Sequence, residues 1–260
     1  MLKAVLFDMD NTLLSINLSA FLAVFARDEA YLLADIARKN PFAMIASFGG
    51  ALLELNSAER DDDLGNLAYF NRSIERRCGI PLDDPVIADV LESYEREILP
   101  RKNDSIIAAR PAPGAREAIE AVLERGLDVA LFTNPSFTRQ AIACRIRWGE
   151  LDEVPFRLIT SMETSTRCKP HARYYLEGIR SLGLAPADVL MVGNDPRRDF
   201  PVPDCGIQTA YVGSGSPVRA TWTGRMADFA QSFGEIEERF CERQSRDLLD
   251  IVQDVGCGTA

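Results

Sequence analysis

The sequence predicts an α/β fold: a parallel five-stranded sheet with helices on both faces, interrupted by an all-helical insertion. Three observations lead to that class. Short apolar runs closed by turn-forming polar residues recur at residues 4–7, 127–132, 157–160, 189–192 and 207–212. From residue 111 onward these runs alternate with stretches whose apolar residues recur at helical spacing. Between the first run and the second, residues 15–110 show helical spacing and no β pattern.

Taken in order, Ala4-Val5-Leu6-Phe7 reads as a buried strand that ends in Asp8, Asp10, Asn11 and Thr12. Carboxylates delivered by a buried strand are costly unless they are paired or hold a metal, and in open sheets that end is where ligands sit. Leu18, Phe21, Leu22 and Phe25, then Leu32, Leu33 and Ile36, mark a first helix. Pro41 opens a second through residues 42–55, interrupted or bent at Gly49-Gly50. Ser57 is placed to cap a third, before Ala58-Glu59-Arg60, running towards Arg77 and stopping near Gly79 and Pro81. A fourth spans 85–99 and ends at Pro100. Asp61-Asp62-Asp63 reads as a solvated helix face.

Beyond residue 110, Ala118, Ile119, Val122 and Leu123 line one face of a helix stopped by Gly126. The strand at 127–132 ends in Thr133-Asn134-Pro135, and a helix follows to Trp148. After the short run at 157–160 a loop reaches Lys169-Pro170, whose proline suits a helix start. The strand at 189–192 closes at Gly193-Asn194-Asp195, with Asp199 four residues beyond Asp195. A Gly/Ser-rich linker at 213–217 leads into one or two amphipathic helices over 226–252, with Phe229, Phe233, Ile236, Phe240, Leu248, Leu249 and Ile251 on the apolar side. The expected organisation is a core of residues 1–14 and 111–213, a helical domain of 15–110, and a C-terminal helical extension, 214–260, packed on the core.

With 260 residues, 47% of them hydrophobic, the chain can bury a sizeable core. A net charge of −10 argues against nucleic acid or an anionic membrane as partner, and an anionic substrate needs local positive charge. Cys78, Cys144, Cys168, Cys205, Cys241 and Cys257 form no C-x-x-C pair, and scattered thiols fit a reducing cytoplasm. The longest apolar stretch, 41–53, is too short to cross a bilayer. His171, the only histidine, reads as a surface residue at a helix start, leaving zinc or serine-triad chemistry poorly supported.

The four strand ends together resemble the motifs of the haloacid dehalogenase (HAD) superfamily, with Asp8-Met9-Asp10-Asn11-Thr12 as the first, Leu131-Phe132-Thr133-Asn134 as the second, Cys168-Lys169-Pro170 as the third, and Val192-Gly193-Asn194-Asp195 with Asp199 as the fourth. The resemblance implies a Rossmann-like core with a helical cap of the type inserted after the first motif, and a Mg²⁺-dependent phosphohydrolase acting on a small phosphorylated metabolite. It implies that Asp8 is the nucleophile, forming an aspartyl-phosphate, and that Asp10 protonates the leaving group and later activates water. Thr133 and Asn134 would bind phosphoryl oxygens, and Lys169 would supply positive charge to Asp8 and substrate. Asp8, the Asp10 carbonyl and Asp195 would hold Mg²⁺.

The fourth motif departs from the commonest family pattern, in which an aspartate follows the glycine directly. Asp195 is the expected ligand, Asn194 is placed to share or replace it, and Asp199 is expected behind them, orienting Lys169 or a metal-bound water. A dehalogenase is disfavoured because those family members lack an acid at the position of Asp10. A phosphomutase stays open, as does a phosphonate hydrolase with Lys39 or Lys102 as its cap lysine, or a binding protein that has lost turnover. Phe48-Gly49-Gly50 is expected to line the cleft facing Asp8, with packing inside the cap as its alternative.

Overall fold

The four residues of β1 (Ala4–Phe7) are all buried, as in a strand covered on both faces. In the computed structural model, which describes residues 1–57 and 60–256, β1 lies inside a parallel five-stranded sheet of order β4-β1-β5-β6-β7. The other strands are β4 (Asp128–Leu131), β5 (Val189–Gly193), β6 (Gln208–Val212) and β7 (Ala220–Gly224). Phe7 is in register with Leu131 on one side and Val192 on the other. The chain therefore leaves β1, β4 and β5 at one level, which brings Asp8, Thr133 and Asn194 to one edge of the sheet.

One strand differs from expectation. Residues 157–160 run beside β4 and exchange hydrogen bonds with it, but only Ile159 forms a bridge, to Leu131. The fifth strand is β7, inside the segment expected to be a purely helical extension. Its period-two signal is short, with only Trp222 of its five residues buried. A single helix, α8 (Met226–Gly256), follows, and Phe229 contacts both Trp222 and Phe7, with ring centroids 5.5 and 5.8 Å apart. Residues 220–240 thus complete the main core. Leu248, Leu249 and Ile251 lie outside the residues whose side chains are described.

The chain leaves the sheet through β2 (Leu14–Ser15) and returns through β3 (Arg110–Pro111), which pair antiparallel. Between them stand α1 (Leu18–Ala37), α2 (Pro41–Leu55), α3 (Asn66–Cys78) and α4 (Pro85–Ser93). Asn17 caps α1 and Asn40 caps α2, each accepting a backbone N–H with its side chain. Three readings are corrected here. The α2 helix runs unbroken through Gly49-Gly50, and a Cβ on Gly50 would meet the Arg77 guanidinium, so that glycine serves helix approach rather than bending. Ser57 starts no helix: its N–H donates to Glu54 O at 3.1 Å, and α3 begins only at Asn66. Ala58 and Glu59 lie outside the described residues. Asp61, Asp62 and Asp63 occupy the loop before α3, where hydrogen bonds from Arg60 hold the Asp62 carboxyl down at about 2. The fourth helix also changes pitch, passing from α4 into a π-turn (Tyr94–Ile98) and a 3₁₀ turn (Leu99–Lys102).

After β3, α5 (Ala115–Glu124) precedes β4, α6 (Arg139–Trp148) follows it, and α7 (Ala172–Ser181) leads towards β5. His171 caps α7, its Nδ1 accepting from Arg173 N at 3.1 Å. Among the described residues no helix is long and apolar enough to cross a membrane.

Where the insertion meets α6, Glu29 of α1 and Glu95 of the π-turn are buried side by side. Burial pushes the Glu95 carboxyl up to about 7, against the hydrogen bond from Thr138. Burial and the neighbouring Glu95 raise Glu29 well above the carboxyl range. Both groups bind protons more tightly folded than unfolded. Their stabilisation is therefore complete below the ordinary value of 4.5; that of Glu95 is lost as the pH rises through about 7, and that of Glu29 is lost in the same direction. Glu29→Gln copies the protonated form. It is expected to exceed the wild type in stability at about pH 8 by on the order of 1–3 kcal/mol and to have little effect at about pH 4. Urea unfolding at the two pH values measures this, and equal effects at both would refute it.

Candidate active site

Asp8 and Asp10 lie just past β1, in a turn that Asn11 makes possible by adopting the left-handed region at φ 62°. Its side chain accepts from Ile16 N at 3.2 Å, while the N–H groups of Thr12 and Leu13 both reach Met9 O. The turn keeps Asp8 buried against the neighbouring strand ends, and Asp8 N donates to Val192 O at 2.9 Å.

Lys169 arrives from the loop before α7 and is 3% exposed. Its ammonium donates to Asp8 Oδ1 at 2.7 Å and to Asp199 Oδ1 at 2.6 Å. Burial disfavours the charged amine, but Asp199 and Asp8 outweigh it and raise its pKa. The same burial, with Asp8 nearby, lifts Asp199 to about 6 against the pull of Lys169. Gly193 admits this arrangement, since a Cβ there would collide with the Asp199 carboxyl. Asp199 Oδ2 also accepts from Asp195 N at 2.9 Å.

The two candidates after β5 point to different partners. Thr12 Oγ1 lies 3.0 Å from Asp8 Oδ2 and 3.3 Å from Asn194 Oδ1, so Asn194 brings a side-chain oxygen beside the Asp8 carboxylate. Asp195 Oδ1 instead accepts from Arg197 N at 2.9 Å. After β4, Thr133 is buried and its carbonyl accepts from the Thr160 hydroxyl at 2.8 Å and from the Tyr174 phenol at 2.9 Å. Asn134 lines the cleft, accepts from Lys169 N at 3.1 Å, and donates to Asn56 Oδ1 at 2.8 Å. Asn56 is the C-cap of α2, so this bond ties the helical insertion to the strand end.

Asp10 lines the same cleft and pairs with Arg145 of α6, with Nη1 2.5 Å from Oδ2. Burial raises the Asp10 pKa, Arg145 opposes it, and Asp8 adds to the rise. The cleft measures about 700 Å³ and is roofed by Leu18 and Leu22 of α1 and by Gly49, Leu52 and Leu53 of α2. A second cavity of about 560 Å³ lies on the other side of Ser136 and Phe137. Phe48 faces that one, packed 5.5 Å from the Phe70 ring, while Gly49 borders the cleft with Asp8; the expectation for Phe48-Gly49-Gly50 therefore holds for Gly49 and not for Phe48.

Sequence reasoning did not anticipate Arg145 or Asn56 as parts of this arrangement, and it placed Thr12 in the first motif without giving it a role. For Arg145 a signal existed: with Ala141 and Ile142 it falls on the buried face of α6, where a charge is out of place.

A parallel sheet that gathers three carboxylates and a lysine at its carboxyl edge, beneath an inserted helical layer, defines an α/β enzyme of the hydrolase class. The sequence profile of the haloacid dehalogenase-like hydrolases matches residues 2–202, and the chain belongs to that family. It is 28% identical to the N-acetylmuramic acid 6-phosphate phosphatase of Pseudomonas aeruginosa over 213 residues, covering 81% of each chain. It is also 28% identical to a ribulose-1,5-bisphosphate 5-phosphatase of Halopiger xanaduensis over 203 residues, covering 77% of this chain and 80% of that one. Among solved structures, a HAD phosphatase from Thermococcus onnurineus shares the fold with a TM-score of 0.56 at 19% identity, over 90% of this chain and 98% of the other.

Proposed function

We propose that the chain is a Mg²⁺-dependent phosphohydrolase that cleaves a small phosphate monoester through an aspartyl-phosphate on Asp8. The observation that carries this reading is Lys169 bridging Asp8 and Asp199 in a cleft that also holds Asp10. The lysine ammonium, 2.7 Å from Asp8, offsets negative charge while an anionic phosphoryl group approaches. Asp8 attacks phosphorus, and the leaving oxygen takes its electron pair and a proton from Asp10. Water then attacks the acyl phosphate as Asp10 accepts its proton, releasing phosphate and restoring Asp8. Thr133 and Asn134 bind the phosphoryl oxygens in this scheme. Residues 15–110 act as a cap over the core of 1–14 and 111–213, excluding water and selecting the leaving group.

The donor set fits a hard cation. Among the described residues no three His, Cys, Asp or Glu side chains gather as a ready cage, so the ligands are of mixed kind. Asp8 Oδ2 and Asn194 Oδ1 converge beside Thr12, and with the Asp10 carbonyl they would make up an all-oxygen set suited to Mg²⁺. We assign the contact to Asn194 in preference to Asp195, whose carboxylate is turned to Arg197 N. Bound there, Mg²⁺ offsets the negative charge of Asp8 and the phosphoryl group.

The relatives named as acting on N-acetylmuramic acid 6-phosphate and ribulose-1,5-bisphosphate support a small phosphorylated metabolite as substrate. Phosphonate hydrolysis through a lysine of the insertion is disfavoured, because Lys39 donates to Cys78 O and Lys102 pairs with Asp28. The described cysteines are unpaired, which supports a cytoplasmic location. The test is turnover of p-nitrophenyl phosphate and of a panel of sugar phosphates with Mg²⁺. EDTA is expected to abolish it, Mg²⁺ to restore it, and Ca²⁺ to restore it poorly, because the looser shell of calcium does not hold in-line geometry. Full activity after exhaustive chelation would remove the metal from the mechanism.

A further inference from the structure

Arg145 is fully buried, yet its guanidinium makes one hydrogen bond, to Asp10 Oδ2. Nε and Nη2 have no partner among the described residues, and neither has Asp10 Oδ1, a buried oxygen of a residue that lines the cleft. Phe137 covers the guanidinium at 4.3 Å and Phe21, from the first turns of α1, at 5.1 Å. A buried ion pair with unpaired donors is a poor stabiliser, since the desolvation of both charges is only partly repaid. A guanidinium serving the fold alone would find carbonyls for its remaining N–H groups. The geometry serves Asp10 instead. One oxygen is pinned, the other is left unpaired, and the pin is seated against a ring of the helical insertion.

We infer that Arg145 is a positioning residue for the proton-transfer step: it fixes the Asp10 carboxyl through Oδ2, leaves Oδ1 for the leaving oxygen, and links that orientation to the seating of α1 through Phe21. The inference rests on the phosphatase reading, in which Asp10 delivers its proton as the phosphorus–oxygen bond breaks. Arg145 itself exchanges no proton. A carboxyl free to rotate would spend most of its time off the line of the leaving oxygen, and small misplacements of this kind cost rate steeply.

The test is Arg145→Lys, which keeps the charge and loses the rigid planar fork. Its kcat is measured on p-nitrophenyl phosphate, whose leaving group departs without a proton, and on phenyl phosphate, whose more basic leaving group needs one. On phenyl phosphate kcat is expected to fall by about 10-fold to 100-fold with KM little changed, and on p-nitrophenyl phosphate by less than about 3-fold. Arg145→Gln, which also removes the charge, is expected to widen the gap between the two esters. An equal fall on both esters, or no fall on either, in variants that melt as cooperatively as the wild type, would overturn the inference alone. A wild type that cleaves neither ester would overturn the phosphatase reading and this inference together.

Discussion

Asp8→Asn is expected to abolish turnover and leave the fold intact. An amide has the volume of the carboxylate but no nucleophilic oxygen, and loss of a covalent nucleophile costs on the order of 10⁴-fold or more in kcat. The surroundings tolerate the exchange. With its oxygen towards Lys169, the amide places its NH₂ beside Thr12 Oγ1, a hydroxyl that accepts as readily as it donates. Lys169 keeps Asp199 as its counter-ion at 2.6 Å. Removing the Asp8 charge also relieves the repulsion that, after burial, does most to raise Asp199 towards 6. The melting temperature is therefore expected to stay within a few degrees of the wild type. Steady-state kinetics and a thermal melt check both halves, and phosphatase activity above a few per cent of wild type would refute covalent catalysis by Asp8.

Lys169→Met should damage both chemistry and fold. The methionine fills the volume but leaves two buried carboxylates, Asp8 and Asp199, facing each other without a cation. Removing one partner of a buried charge cluster costs about 3–5 kcal/mol, and Asp199, which burial and Asp8 already raise to about 6, loses the opposing pull of Lys169 and rises further above its unfolded value. Its contribution to stability is consequently greatest below the ordinary carboxyl range and is lost as the pH rises through the raised value. The variant is expected to melt far below the wild type at neutral pH and to recover part of the difference at about pH 4–5. Turnover on p-nitrophenyl phosphate is expected to fall by at least about 10³-fold, since the site loses the buried positive charge that offsets Asp8 and the anionic phosphoryl group. A variant that melts like the wild type at neutral pH would show that Lys169 does not compensate these acids.

The sheet's central strands were legible because each is a local signal. Residues 4–7, 127–132, 189–192 and 207–212 are apolar runs bounded by turn formers, and a buried parallel strand is written in that way. The edge strand β7 was missed because an edge carries half the burial and so a weaker pattern. Residues 157–160 were over-read because an apolar run beside an edge looks like a strand whether or not a full ladder forms. Cap signals failed at Ser57 for a related reason: the chain there spends its polar groups on Arg60, Asp62 and Asn66, contacts that the local sequence does not reveal.

By itself the sequence determined the four strands 4–7, 127–132, 189–192 and 207–212 and their alternation with helices, the placement of polar residues at strand ends, and the acids and the lysine available for chemistry. Those properties depend on spacing along the chain, which periodicity and turn chemistry report directly. Only the tertiary structure decided which oxygens face one another. It turned Asn194 towards Asp8 and Asp195 towards the backbone of Arg197, moved Phe48 into the second cavity, and brought Arg145 under Asp10. Each of these pairings joins different strands, helices or turns, and its distance is set by sheet register and helix packing rather than by any pattern within one segment.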